Sequence, residues 1–249
     1  MLKKHLIILI FPFFLVINSF GSEDAYTTFV QANQFYKSTN YSKAIQLYKQ
    51  AESLGFAPGG LYYNLGNAYY RAGDLGRAIA AYLKARQLLP RDSDVLENLN
   101  TARSQISDKI AVSSPPAALR QFLFIYYNFS VDELLWMTAI TIAVFFVLLS
   151  IYAFWQNSIV KKITKFVVIL LIIIGVTAAI KYYNFSKHST AVIITKEALV
   201  RSGPDKSYAE IFVLHDGTEV KIIEKRDKAA KIKVDGKKGW VNLNDIEII

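Results

Sequence analysis

Two apolar runs decide how the rest of the chain is read: LLWMTAITIAVFFVLLSIYAFW at residues 134–155 and FVVILLIIIGVTAAI at residues 166–180. The first holds 22 residues without a charge. At about 1.5 Å of rise per residue it reaches about 33 Å, enough for a hydrocarbon core of about 30 Å. The second has only 15 residues between Lys165 and Lys181. It spans if those lysines snorkel and if Ile163, Tyr182 and Tyr183 form its interfacial ends. A buried helical hairpin in a soluble core is the other reading, but such a helix normally keeps a polar face. The sequence therefore predicts transmembrane helices at 134–155 and 166–183, joined by a loop at 156–165. That loop carries Lys161, Lys162 and Lys165 and no acid, so the bias of basic residues toward the inner side assigns it to the cytoplasm. Asp132 and Glu133 on the far side agree.

Charge outside the runs obeys the same logic. The 249 residues carry a formal net charge of +9. Lys3 and Lys4, the three loop lysines, and Lys181 with Lys187 supply seven of those nine units, all beside apolar segments. Basic residues placed this way mark membrane topology rather than a nucleic-acid-binding face. The chain has no cysteine, which excludes disulfides, thiolate metal sites, a cysteine nucleophile and a lipoprotein anchor.

Residues 1–21 (MLKKHLIILIFPFFLVINSFG) read as a secretory signal peptide. Lys3 and Lys4 form the basic n-region, residues 6–17 the apolar h-region, and Ser19 with Gly21 the small residues before a cleavage site at Ser22. An uncleaved anchor is the alternative, and both place the next segment of the chain outside the cytoplasm.

Residues 22–112 contain an internal repeat with a period of 34: Ala32 aligns with Gly66, Phe35 with Tyr69, Ala44 with Ala78, Tyr48 with Tyr82, and Ala51 with Ala85. Small residues at 66, 78 and 85 let two antiparallel helices approach closely, Tyr69 and Tyr82 fill between them, Gly73-Asp74 makes the turn and Pro90 stops the second helix. The copy YYNLGNAYYRAGDLGRAIAAYLKARQLLP resembles the tetratricopeptide repeat, TPR, with Tyr62 at the usual Trp position. From Ser93, DVLENLNTARSQI repeats only the first-helix pattern, as a capping helix does. Two repeats and a cap are near the lower limit for a solenoid. Ser113-Ser114-Pro115-Pro116 then breaks the helical pattern, and residues 113–133 read as a linker followed by an aromatic-rich interfacial helix.

The tail at 190–249 alternates short β-branched runs with turn signals at 202–205, Asp216-Gly217 and Asp235-Gly236, the grammar of a small barrel. Its ALVRSGPD, LHDGTEVKIIEK and VDGKKGWVN stretches resemble the bacterial SH3-like domain family. Where many members carry a Trp before the fourth strand, this chain has Ala229-Ala230, which leaves Trp240 as the aromatic surface residue that could grip a ligand.

Catalytic signatures are missing from the sequence. The histidines are His5, His188 and His215, the last read as a turn-flanking surface residue. No metal-spaced cluster, phosphate-cradling glycine loop or nucleophile elbow occurs. Neither apolar run holds Asp, Glu, His, Lys or Arg, which argues against a proton relay. The expectation is a protein that is not an enzyme and needs no metal or cofactor.

What remains is binding surface. The TPR resemblance implies a groove lined by fixed first-helix positions: Tyr26, Phe29, Asn33, Tyr36 and Lys37 in the first copy, and Tyr63, Asn67, Tyr70 and Arg71 in the second, with Asn64 adjacent. Amides can hydrogen-bond a peptide backbone, and Lys37 and Arg71 can meet acidic groups. A solvated helix face is the bland reading of any one of them; the recurrence of Asn33 and Asn67 at matching offsets favours the groove.

The order of parts gives a multidomain membrane protein: all-α TPR solenoid, two-helix transmembrane hairpin, small all-β SH3-like barrel. With YNLGNAYYRAGDLGRAI, ENLNTAR and VRSGP…GWV, it resembles the BatE family, the TPR–SH3 membrane proteins of aerotolerance operons. That resemblance implies a two-pass scaffold of the bacterial inner membrane, with both soluble domains in the periplasm. Its implied partners are membrane-anchored von Willebrand factor A-domain proteins and other Bat-type membrane proteins, with a MoxR-type ATPase on the cytoplasmic side. An envelope-anchoring module that binds peptidoglycan through the SH3-like domain stays open beside it.

Overall fold

The computed structural model describes residues 23–108, 115–187 and 190–249; the signal peptide expected at 1–21 lies outside them. Five helices come first: α1 (Glu23–Lys37), α2 (Tyr41–Ser53), α3 (Gly59–Arg71), α4 (Leu75–Leu88) and α5 (Ser93–Arg103). The 34-residue period recurs in the caps. Asn40 accepts from the Lys43 N–H at the start of α2, and Asp74, 34 positions on, accepts from the Arg77 N–H at the start of α4, each satisfying one orphan donor of a helix end. The turn before each cap needs a left-handed residue. Gly73 supplies it at φ 80°, but the first copy places Thr39 there at φ 60°.

Between the helices, Ala44, Tyr48, Ala51, Ala68, Ala78, Tyr82 and Ala102 are buried in one core with Leu47, Leu61, Leu65, Ile79 and Leu99. Gly66 is small because Tyr82 lies over it: a β-carbon at Gly66 would stand 2.6 Å from the Tyr82 ring.

The segment expected as one interfacial helix is two short ones, α6 (Ala117–Phe122) and α7 (Phe124–Asn128). Phe122 is 85% exposed. Ser130 then caps α8 (Val131–Trp155) in a capping box with Glu133, which starts the helix three residues before the apolar run. The ten-residue loop expected at 156–165 is not there. Gln156 takes a left-handed conformation (φ 45°) after α8, Asn157 accepts from the Ile159 N–H, and α9 runs from Ser158 to Lys187. The lysines are good helix formers, so Lys161, Lys162 and Lys165 sit on the first turns of α9 rather than in a loop. Over Ser158–Asn184 the second span reaches 27 residues, which removes the shortness of its apolar run. Both long helices are apolar enough to cross a membrane. Lys181 donates to the Tyr126 and Phe129 carbonyls at the end of α7, and Arg91 pairs with Glu133 at 2.5 Å and lies over the Phe129 ring. The hairpin is thereby tied to the helical array.

The tail forms a seven-stranded antiparallel sheet: β1 (Thr190–Ile193), β2 (Glu197–Arg201), β3 (Glu210–His215), β4 (Glu219–Arg226), β5 (Ala229–Val234), β6 (Lys237–Asn242) and β7 (Ile246–Ile248), in the order β3-β2-β6-β5-β4-β1-β7. Asp235 (φ 44°) and Gly236 (φ 77°) make the tight β5–β6 turn, the two positive φ values that a type I′ hairpin demands. Ala229 and Ala230 of β5 are buried.

This sheet is seated on the helical array. Val192 of β1 and Ile249 join the helical core beside Ile79. Gly76 of α4 has no room for a β-carbon, which would collide with the Asp216 carboxylate and the Ile193 carbonyl. Arg103 donates to Glu219 at 2.7 Å, both side chains 16% exposed, and Lys84 meets Glu247 at 3.3 Å.

Candidate peptide-binding groove

First helices of successive repeats line up side by side, so every residue at one repeat position recurs on the same face. Asn33 shows what this builds. Its Oδ1 accepts from the Tyr48 hydroxyl at 2.6 Å and from Asn64 Nδ2 at 2.9 Å. One period later, Asn67 Oδ1 accepts from the Tyr82 hydroxyl at 2.7 Å and from Asn98 Nδ2 at 2.9 Å. The two triplets form a ladder that clamps helix to helix. Each rung uses the amide oxygen, and the Asn67 Nδ2 donor has no partner among the described residues.

Beside the second rung is a cavity of about 230 Å³ lined by Tyr36, Tyr63, Asn67, Tyr70, Arg71, Tyr82, Asn98 and Thr101. Four of its eight lining residues are tyrosines, which supply broad ring faces together with hydroxyl donors and acceptors. Arg71 is exposed at its edge. Burial, then the neighbouring Tyr63 and Tyr36, pushes the Tyr82 hydroxyl well above the ordinary phenol range, so it stays protonated and keeps donating to Asn67. The hydroxyl of Tyr69, on the back of α3, is pushed up to about 12, first by burial.

Of the residues read from the sequence, Tyr36, Tyr63, Asn67, Tyr70 and Arg71 come together around this cavity, and Asn33 and Asn64 form the rung next to it. Three stand elsewhere. Phe29 is packed inward against Tyr48 and Phe56, with ring centroids at 5.9 and 5.1 Å, and Tyr26 lies edge-on to Phe56 at 5.8 Å. Lys37 is exposed at the last turn of α1.

Sequence reasoning alone misses Asn98, Thr101 and Gln105, which hydrogen-bonds the Tyr70 hydroxyl. Applying the 34-residue offset to Asn64 would have found Asn98. It also misses the hydroxyl roles of Tyr48 and Tyr82, which repeat spacing marks only as space-fillers.

In the sheet, the expectation of Trp240 as a surface residue is corrected: it is 6% exposed. The reason is its strand, since β6 lies between β2 and β5, with Arg226 and Lys231 over the indole at 4.9 and 5.9 Å. One edge of Trp240 still lines a cavity of about 100 Å³ with Arg201, Pro204, Lys206 and Lys228. There Arg201 Nε is buried and has no hydrogen-bond partner among the described residues. His215 is likewise not a bystander of its turn. Its backbone N–H donates to Asp108 Oδ2 at 2.8 Å, its Nδ1 lies 2.7 Å from Asp108 Oδ1, and the Thr218 hydroxyl donates to Oδ2 at 2.6 Å. No group of His, Asp and Glu that could hold a metal occurs among the described residues.

Comparison with known families agrees with both modules. Residues 60–92 match the tetratricopeptide repeat and residues 197–246 the bacterial SH3 domain. No curated protein matches the chain. Solved structures similar to the helical part include the second TPR of Spaghetti (RPAP3) bound to an HSP90 peptide, at 24% identity and TM-score 0.32, covering 33% of this chain and 76% of that one. The Sgt2 TPR domain from Aspergillus fumigatus is 27% identical with TM-score 0.32, over 34% of this chain and 56% of that one. The Arabidopsis OM64 TPR domain is 19% identical with TM-score 0.31, over 58% and 94%. TPR and bacterial SH3 domains are typically interaction modules, and this chain carries both, joined through the two long apolar helices.

Proposed function

We propose that this chain is a non-enzymatic scaffold of the bacterial inner membrane whose tyrosine-lined groove binds an extended segment of a partner protein. The observation that carries the reading is the Asn67 rung. Its oxygen is spent inside the fold while its nitrogen is left at a cavity edged by Arg71, so the site presents donors, suited to backbone carbonyls and carboxylates. The two apolar helices would hold both soluble modules on the periplasmic face, with the lysine-bearing start of α9 in the cytoplasm. In this reading the partners are membrane-anchored von Willebrand factor A-domain proteins and other Bat-type membrane proteins, in a complex serving aerotolerance or envelope stress. The hairpin turn is only Gln156-Asn157, too short to hold much of a cytoplasmic ATPase, so in this reading any such ATPase is reached through those partners.

A photo-crosslinking residue at Thr101 in native membranes tests the groove. A crosslinked partner that disappears both with the Asn67→Ala/Arg71→Ala pair and with Arg71→Ala alone, which leaves the ladder intact and stability within about 0.5 kcal/mol, is the expected result. Unchanged crosslinking in that pair removes the site.

One observation favours a second reading, envelope anchoring. The small cavity beside Trp240 gathers Arg201, Lys206 and Lys228 against the single acid Asp205, with Arg201 paired to Glu210 through its other nitrogen, a net basic setting for carboxylates of peptidoglycan stem peptides. Co-sedimentation of the full chain with purified sacculi, lost on Arg201→Gln, would favour anchoring over scaffolding.

A further inference from the structure

The inner end of the helical hairpin holds a groove that neither module explains. Its volume is about 420 Å³, and it is lined by Leu149 and Tyr152 of α8 and by Lys161, Thr164, Lys165, Val168 and Ile169 of α9. The α9 residues obey the i, i+3, i+4, i+7, i+8 spacing, so they share one face of the helix. Along that face the chemistry changes once. Val168, Ile169 and Leu149 give an apolar floor, and one to two turns nearer the hairpin turn stand two ammonium groups. Positions i and i+4 put the β-carbons of Lys161 and Lys165 about 5–6 Å apart, close enough for both to reach one tetrahedral anion. Tyr152 adds a hydroxyl donor at the same level, while the Thr164 hydroxyl is spent on the Val160 carbonyl.

No acid balances these lysines: residues 134–187 contain neither Asp nor Glu. Among the described residues, neither the Lys161 nor the Lys165 ammonium has an ion-pair or hydrogen-bond partner. Two unpaired cations above an apolar floor, at the depth where a helical hairpin turns, are complementary to a negatively charged headgroup joined to acyl chains.

We propose that this groove is a binding site for an anionic phospholipid, with the phosphate between Lys161 and Lys165 and an acyl chain along Leu149, Val168 and Ile169. The proposal rests on the hairpin being embedded in the membrane. Neutral phospholipids, whose headgroup carries its own cation, lack the net charge that the lysine pair attracts. Lys162 is the internal control: it adds the same charge to the same turn but is no part of the groove lining.

The full chain, reconstituted in nanodiscs of phosphatidylcholine with a minor fraction of phosphatidylglycerol and then analysed by native mass spectrometry, tests this. The wild type should retain phosphatidylglycerol in preference to phosphatidylcholine. Lys161→Gln/Lys165→Gln should reduce that retention on the order of tenfold, and Lys162→Gln should leave it unchanged. Equal loss in Lys162→Gln would mean bulk attraction of anionic lipid and would overturn the site, as would undiminished retention in the double variant or equal retention of both lipids. Carbonate extraction of the same protein from cell membranes separates this from the reading beneath it. A chain released by carbonate refutes the embedded hairpin. A chain that stays, yet retains lipid without preference, refutes the lipid site alone.

Discussion

The Tyr82 hydroxyl donates to the Asn67 amide oxygen at 2.7 Å, and 34 residues earlier Tyr48 does the same to Asn33 at 2.6 Å. Tyr82 is 1% exposed, so water competes little for the bond. Tyr82→Phe keeps the ring over Gly66 but leaves the Asn67 oxygen with Asn98 alone. The expected cost is about 1 kcal/mol, read by urea denaturation of the purified chain. The first rung should behave alike: Tyr48→Phe with no loss would show that the ladder does not hold the helices together.

Thr39 and Gly73 occupy equivalent left-handed positions, at φ 60° and 80°. A β-branched residue is strained there and glycine is not. Thr39→Gly should therefore stabilise the helical array by about 1 kcal/mol, and Gly73→Ala should destabilise it by about the same. Opposite shifts in thermal midpoint for the two variants are the signature.

The seating of the sheet on the helices should depend on pH through Asp108 and His215. Hydrogen bonding to Asp108, then its charge, raises the His215 imidazole above its ordinary range. Burial raises the Asp108 carboxyl, but bonds from Thr218 and His215 outweigh this and hold it below the usual carboxylate range. A group whose folded pKa is raised contributes fully below its unfolded value of about 6.5 and loses the contribution as pH rises through the folded value. The carboxylate contributes above about 3.9 and fails only as pH falls below that. Amide exchange at residues 215–218 should thus be slower at pH 6 than at pH 8 once corrected for intrinsic rate. Asp108→Asn should abolish the difference, and an unchanged pH profile in that variant would sink the assignment.

Arg103 and Glu219 form a largely buried pair across the same interface. Removing one partner strands the other charge, so Arg103→Met should cost about 2–4 kcal/mol. The double variant Arg103→Met/Glu219→Gln should recover part of this, because the carboxylate that lost its direct partner is gone, with Arg86 the charge that remains beside it. Chemical denaturation of the single and double variants gives the coupling directly.

Much of the fold is legible in the sequence because it is periodic or extreme. A 34-residue offset announces paired helices, and uninterrupted apolar runs announce the hairpin. What the runs cannot show is where the helices end: the second apolar run begins at Phe166, but Asn157 caps α9 nine residues earlier and carries three lysines into the helix. Strands β2 and β3 are visible only as motif fragments, since short runs around a Gly-Pro loop have little pattern of their own. In the groove, residue identity at repeat positions predicts which side chains gather, and Phe29 departs because Phe56, from the loop after α2, gives it an inward partner.

The sequence by itself determined the modules, since repeat spacing, apolar length and turn residues act locally and are written in neighbouring residues. Only the tertiary structure decided how they are used. Whether an asparagine offers its oxygen or its nitrogen depends on a tyrosine 15 residues away and an asparagine 31 residues away. Whether His215 is a surface residue or a clasp depends on Asp108, 107 residues distant. Such pairings are fixed by packing of the whole chain, and no local pattern records them.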